Sequence, residues 1–123
     1  MGKKKICGLD INFLFKNSIN FKNVRIMEFK IPEKYSVGGQ EIEVRSVDDL
    51  GTLLGCVDVP YGVLKIAANP DEKKQTESSQ LNTFLHELVH SILKTMGEEE
   101  LNVNEKFVNC FAGFLTEAIK TMK

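Results

Sequence analysis

His86 and His90 are the only imidazoles in the chain, and they stand four positions apart in His86-Glu87-Leu88-Val89-His90. On a helix such a pair lies about 40° apart round the axis and about 6 Å apart along it. The surrounding residues predict that helix. Leu81, Phe84, Leu85, Leu88, Val89, Ile92, Leu93 and Met96 recur at helical spacing. Residues 76–81 offer several capping side chains, Lys94 stands in the last turn, and Gly97 supplies a stop. Two histidines and a glutamate in the middle of a largely buried helix need a partner, because buried polar groups cost free energy unless satisfied. A metal ion is such a partner.

Two imidazoles at this spacing can close on one zinc ion, with Zn–N distances of about 2.0–2.1 Å. Glu87 is displaced from the ligand face, but its carboxylate can reach a water bound to the metal. Zinc lowers the pKa of such a water to around 7, and a neighbouring carboxylate can take its proton during attack on a carbonyl carbon. Catalytic zinc usually has a third protein ligand. With no histidine left, a carboxylate or a thiolate must supply it. Glu105 is the candidate, at the start of a second amphipathic helix with one stripe through Phe107, Phe111, Phe114, Leu115 and Ala118. An overlapping stripe runs through Val108, Ala112, Leu115, Ile119 and Met122. Joined by a short turn, the two helices would pack antiparallel and bring Glu105 towards the His86–His90 face. Glu105 also has a plainer role open to it, since Asn102 to Glu105 has the spacing of a capping box. Glu98, Glu99 and Glu100 read as a solvated acidic turn, and Cys110 as a small core residue. Asn109, one turn past Glu105, could hydrogen-bond a ligand or face solvent.

The combination of HExxH on one helix and Asn104-Glu105 opening the next resembles the gluzincin metallopeptidases, over about residues 60–120. In length it is similar to the small single-domain HExxH proteins of bacteria and their phages. The resemblance implies a zincin-like fold, zinc held by His86, His90 and Glu105, and Glu87 as catalytic base. It also implies an edge strand ahead of the HExxH helix that pairs with extended substrate. That role would fall to residues 63–67, which otherwise form an ordinary sheet strand. The chain departs from thermolysin-like enzymes in a shorter gap between His90 and Glu105 and in Asn109, where those enzymes place an Asp. No further histidine is present to stabilise an oxyanion, which leaves Tyr61 or Tyr35.

With 123 residues, the chain is read as one domain over 1–123. A net charge of −1 gives no electrostatic argument for nucleic acid or an anionic membrane as partner. Lys3-Lys4-Lys5 reads as a solvated terminus. Cys7, Cys56 and Cys110 are odd in number and widely spaced, which indicates no disulfide framework and favours a reducing compartment. Asp10 and Asn12 interrupt any signal-peptide core, and no stretch approaches a transmembrane span. A cytoplasmic protein is expected, of undetermined oligomeric state.

Residues 1–23 give no clear pattern. Alternation over 24–31 predicts a strand. Residues 35–37 and 41–45 flank Gly38-Gly39, a hairpin turn, and 56–59 and 63–67 flank Pro60-Tyr61-Gly62. Residues 48–54 read as a short helical or loop connection, and 69–75 as a polar loop rimming a cleft. Strands first and helices after predict an α+β fold, a small mostly antiparallel sheet followed by two packed helices. The function expected is zinc-dependent hydrolysis of a peptide or protein substrate. A zinc-stabilised binding or regulatory module that cleaves nothing is the alternative, and a cell-wall peptide hydrolase a more distant one.

Overall fold

The computed structural model describes the backbone of residues 5–6 and 9–10 and the whole of residues 30–123. Two compact units are distinguished, Met1–Phe29 with Ala118–Lys123, and Lys30–Glu117. In the first, β1 (Lys5–Ile6) pairs antiparallel with β2 (Leu9–Asp10). Of the strand expected over 24–31, residues 24–29 lie outside the described residues, and Lys30 and Ile31 belong to no strand.

From Lys30 on, the chain is α+β, as expected. Four strands, β3 (Lys34–Val37), β4 (Gln40–Val47), β5 (Gly55–Asp58) and β6 (Val63–Ala67), precede α1 (Glu77–Met96), the short α2 (Glu99–Asn102) and α3 (Glu105–Thr121). Sheet order is β3-β4-β6-β5. The β3–β4 hairpin turns at Gly38 and Gly39, both at positive φ, where glycine carries no steric penalty. The β5–β6 hairpin turns through residues 60–62, and its register pairs Val57 with Leu64. Between them β4 and β6 run parallel, from Glu43 beside Val63 to Val47 beside Ala67. Residues 48–54 form a loop.

This order corrects one expectation. Residues 63–67 are not an edge, because β6 has a neighbour on each side. The edge is β5. The hydrogen bond from Ala67 N to Leu54 O marks residues 54 and 67 as a bonded pair. Antiparallel alternation then turns Cys56 and Asp58 towards β6 and leaves the N–H and C=O of Gly55 and Val57 directed at the open edge.

Ile42, Leu64, Ile66 and Ala67 of the sheet are buried, as are Leu81, Phe84 and Leu85 of α1. Each large aliphatic side chain so buried contributes about 1.5–3 kcal/mol of transfer free energy. Tyr35 on β3 packs edge-on against Phe84 at 5.8 Å and donates to Ser91 Oγ at 3.0 Å, which pins the sheet to α1. Thr76 caps α1 by accepting from Ser79 N, and Gly97 ends it at φ 80°. A second cluster, Val89, Leu93, Val108 and Ala112, joins α1 to α3. Leu101 and Phe107 pack against it. Of the two stripes on α3, the core takes the one through Val108 and Ala112, while Phe111 and Phe114 are exposed. Cys110 is exposed too, not a core residue. None of the helices among the described residues is long and apolar enough to cross a membrane.

Candidate metal centre

The buried side of α1 is set by Phe84, Leu85, Val89 and Leu93, and this turns His86 and His90 together towards the start of α3. Their rings lie 4.9 Å apart. Asn104 caps α3, its Oδ1 accepting from Phe107 N at 3.0 Å. Glu105 is therefore the first helical residue, not the third residue of a capping box begun by Asn102. From that position its carboxylate faces both histidines, 3.4 Å from His86 Nε2 and 3.4 Å from His90 Nε2. The three ligand atoms lie within 4.8 Å of one another, a group that could hold a metal ion.

Side chains around the group hold both imidazoles in place. His90 Nδ1 lies 2.8 Å from Asn102 Oδ1. An amide oxygen only accepts, so Nδ1 donates to it, and Nε2 is the ring atom turned towards Glu105. His86 is hydrogen-bonded by Asn109, one of the two roles open to that residue, which is also exposed. Burial, reinforced by His90, holds the His86 imidazole below its ordinary range and favours the neutral ring, although Glu105 and Asn109 oppose the shift. Two imidazole nitrogens and a carboxylate thus converge on one point. Such a set of groups fits a divalent ion that takes nitrogen and oxygen ligands, and outer amides that hold the imidazoles suit it further.

Glu87 lies on the sheet side of the histidines and is only 8% exposed. Burial pushes its carboxyl up to about 7; His90 acts against that shift and Glu105 with it. Its neighbour across the gap is Gly55. A Cβ at residue 55 would stand 2.5 Å from Thr83 Cγ2, 3.0 Å from Lys65 O and 3.4 Å from Glu87 Cγ. Only glycine allows the edge strand so close to the helix at that point. Thr83 is fixed in turn by its hydroxyl on Gln75 Oε1 at 2.8 Å, and Gln75 is anchored on Ala67 O.

An open groove runs between β5 and α1. Gly55, Val57 and Pro60 line one wall, and Glu87, His90 and Lys94 the other. Asn102 and Leu53 also border it, whereas the 69–75 loop does not. Neither candidate for an oxyanion donor lines this groove. Tyr35 is committed to Ser91, and Tyr61 is 83% exposed in the β5–β6 turn.

All four residues expected from the sequence, His86, Glu87, His90 and Glu105, are brought together. Two residues of the site went unanticipated. Asn102 read as a helix cap, and nothing near Gly55 marked it as facing the helix; its only signal was a glycine at the start of a strand, which is compatible with close backbone approach. Glu98, Glu99 and Glu100 are exposed, as expected for a solvated run. Comparison with protein-family models, curated proteins and solved structures finds no match to the chain.

Proposed function

We propose that this protein is a zinc-dependent peptide hydrolase in which His86, His90 and Glu105 hold the metal and Glu87 is the general base. The observation that carries the proposal is the convergence of His86, His90 and Glu105 beside the buried carboxylate of Glu87, with His90 and Glu87 on one wall of a groove whose other wall is an open strand edge. Bound there, zinc would supply a Lewis acid that makes water nucleophilic near neutral pH and polarises a peptide carbonyl.

The chain's own residues would do the rest. Gly55 and Val57 offer outward N–H and C=O groups, on which an extended peptide can add as a further strand. That pairing holds the peptide carbonyl over the His90–Glu87 stretch of α1. As the water oxygen bonds to the carbonyl carbon, the Glu87 carboxylate takes the water's proton. When the C–N bond breaks, the same carboxyl delivers that proton to the departing amine nitrogen. A carboxyl titrating near 7 is suited to both transfers at neutral pH. Asn102 on His90 Nδ1 and Asn109 on the His86 imidazole hold the two rings in place.

Glu87→Gln separates hydrolysis from metal binding, because the amide keeps size and hydrogen bonding but accepts no proton. The variant is expected to retain zinc and fold while losing chelator-sensitive cleavage in a library of unstructured peptides. If wild type and variant both hold zinc tightly and are equally inert, the protein is a zinc-stabilised binding module. Equal, robust cleavage by both forms would remove Glu87 from the role of base.

A further inference from the structure

We propose that the groove selects extended peptides carrying a carboxylate side chain two residues from the bond presented to the metal centre, and that Lys94 is the residue that selects it. The inference deepens the function proposed above and rests on it for the location of that bond.

The two walls of the groove run in step. Tyr35 meets Ser91 and Gly38 approaches Thr95, so β3 runs in the direction of α1. β4 is antiparallel to β3, β6 is parallel to β4, and β5 is antiparallel to β6. β5 therefore also follows α1, starting with Gly55 beside Glu87 and ending near the next turns of the helix. Lys94 lies one turn beyond His90 on the same wall, about 6 Å further along the axis. An extended peptide advances about 3.3 Å per residue, and residues two apart point to the same face. The side chain two positions from the residue at His90 thus arrives beside Lys94. If the peptide pairs antiparallel to β5, that position lies on the N-terminal side of the cleaved bond.

Charge makes this position selective. Among the described residues lining the groove, the charged groups are Glu87, Asp58 and Lys94, and Lys94 is the one cation. Glu87 belongs to the metal centre, and Asp58 accepts from Tyr61 N at 3.2 Å. Lys94 contacts Glu99 at 3.7 Å, with both side chains about half exposed. A surface pair of that kind contributes little and gives way readily to a better-held carboxylate. A glutamate on the peptide would gain a partner there, whereas a lysine would meet a like charge.

The test uses N-acetylated, C-amidated peptides, so that only side chains carry charge, with Glu, Gln or Lys scanned along the sequence. Cleavage by zinc-loaded wild type is measured, together with peptide binding by fluorescence anisotropy to the metal-free protein and to zinc-loaded Glu87→Gln. The Glu peptide should exceed its Lys analogue by roughly three- to tenfold at a single position. Lys94→Gln should erase that difference, Lys94→Glu should invert it, and Glu99→Gln should widen it. Added salt should shrink it. Equal handling of the three peptides by wild type, or an order unchanged in Lys94→Glu, would overturn the inference. If nothing is cleaved yet binding follows the predicted order and inverts in Lys94→Glu, the groove assignment stands and hydrolysis falls. If neither protein binds or cleaves any peptide, both fall.

Discussion

In the proposed metal centre, Asn102 would act without being a ligand. Its amide oxygen fixes the proton of His90 on Nδ1. Asn102→Leu should therefore weaken zinc binding by about 10- to 100-fold without unfolding the protein, as read by competition with a chromogenic chelator. Glu105→Ala should weaken it further, while Glu98→Ala, on an exposed residue of the acidic run, should leave it unchanged. Unaltered affinity in the Glu105 variant would move the third ligand elsewhere. Glu87 gives a pH signature in the metal-free protein. Its carboxyl titrates at about 7 in the fold against an ordinary 4.5, so the folded state binds the proton more tightly than the unfolded one. That contribution is complete below about pH 4.5 and is lost as pH rises through about 7. Denaturation midpoints should fall across that window, and Glu87→Gln should flatten the fall. The grouping of His86, Glu87 and His90 was legible in the sequence because they share one helix and its spacing fixes their geometry. Glu105 was legible as the opening of the next helix. Asn102 was not, because a four-residue helix, α2, intervenes and moves the cap of α3 to Asn104.

At the scale of elements, the Gly55–Thr83 contact controls how closely the edge strand approaches α1. Gly55→Ala should cost about 1–3 kcal/mol, since the added methyl meets Thr83 Cγ2 and Lys65 O in a packed site. Thr83→Ser removes Cγ2 but keeps the hydroxyl on Gln75, and in the double variant it should recover part of the loss. Urea midpoints of the four proteins form a double-mutant cycle, and strict additivity would show that the two residues do not meet. Both hairpins were legible because alternation on either side of a Gly-rich turn is a local signal. The identity of the edge was not. Alternation in β6 is the same whether it has one neighbour or two, and the parallel pairing of Glu43 with Val63 is a non-local contact that no turn residue announces. On α3 two overlapping apolar stripes were visible, and only packing against Val89 and Leu93 decides which is buried.

For the molecule as a whole, a metal bound by the folded chain alone must raise its stability. The α1–α3 cluster and the proposed ligand set join the same two helices, so zinc would add to a contact that the apolar core already makes. At zinc concentrations about 100 times Kd the gain is about 2.7 kcal/mol. For a domain of this size that corresponds to an increase in Tm on the order of 10 °C. Scanning calorimetry with and without a chelator measures it. His86→Ala should abolish the increase, and a wild-type Tm indifferent to zinc would count against the metal centre. The α+β class was legible from the order of strand and helix patterns, because helices that follow a sheet must cover one of its faces.

The path between β4 and β6 has a consequence for how such a protein can change. Parallel neighbours need a long connection, and here that connection is itself the edge strand β5 with its flanking loops. The groove's strand wall is encoded by residues 48–62, and the ligands with their amide supports by residues 86–109. Lineages, or a laboratory library, can therefore vary one stretch and leave the other intact. Retailoring what the groove accepts would not require rebuilding the helices that carry the proposed ligands, provided a glycine stays where the two stretches meet.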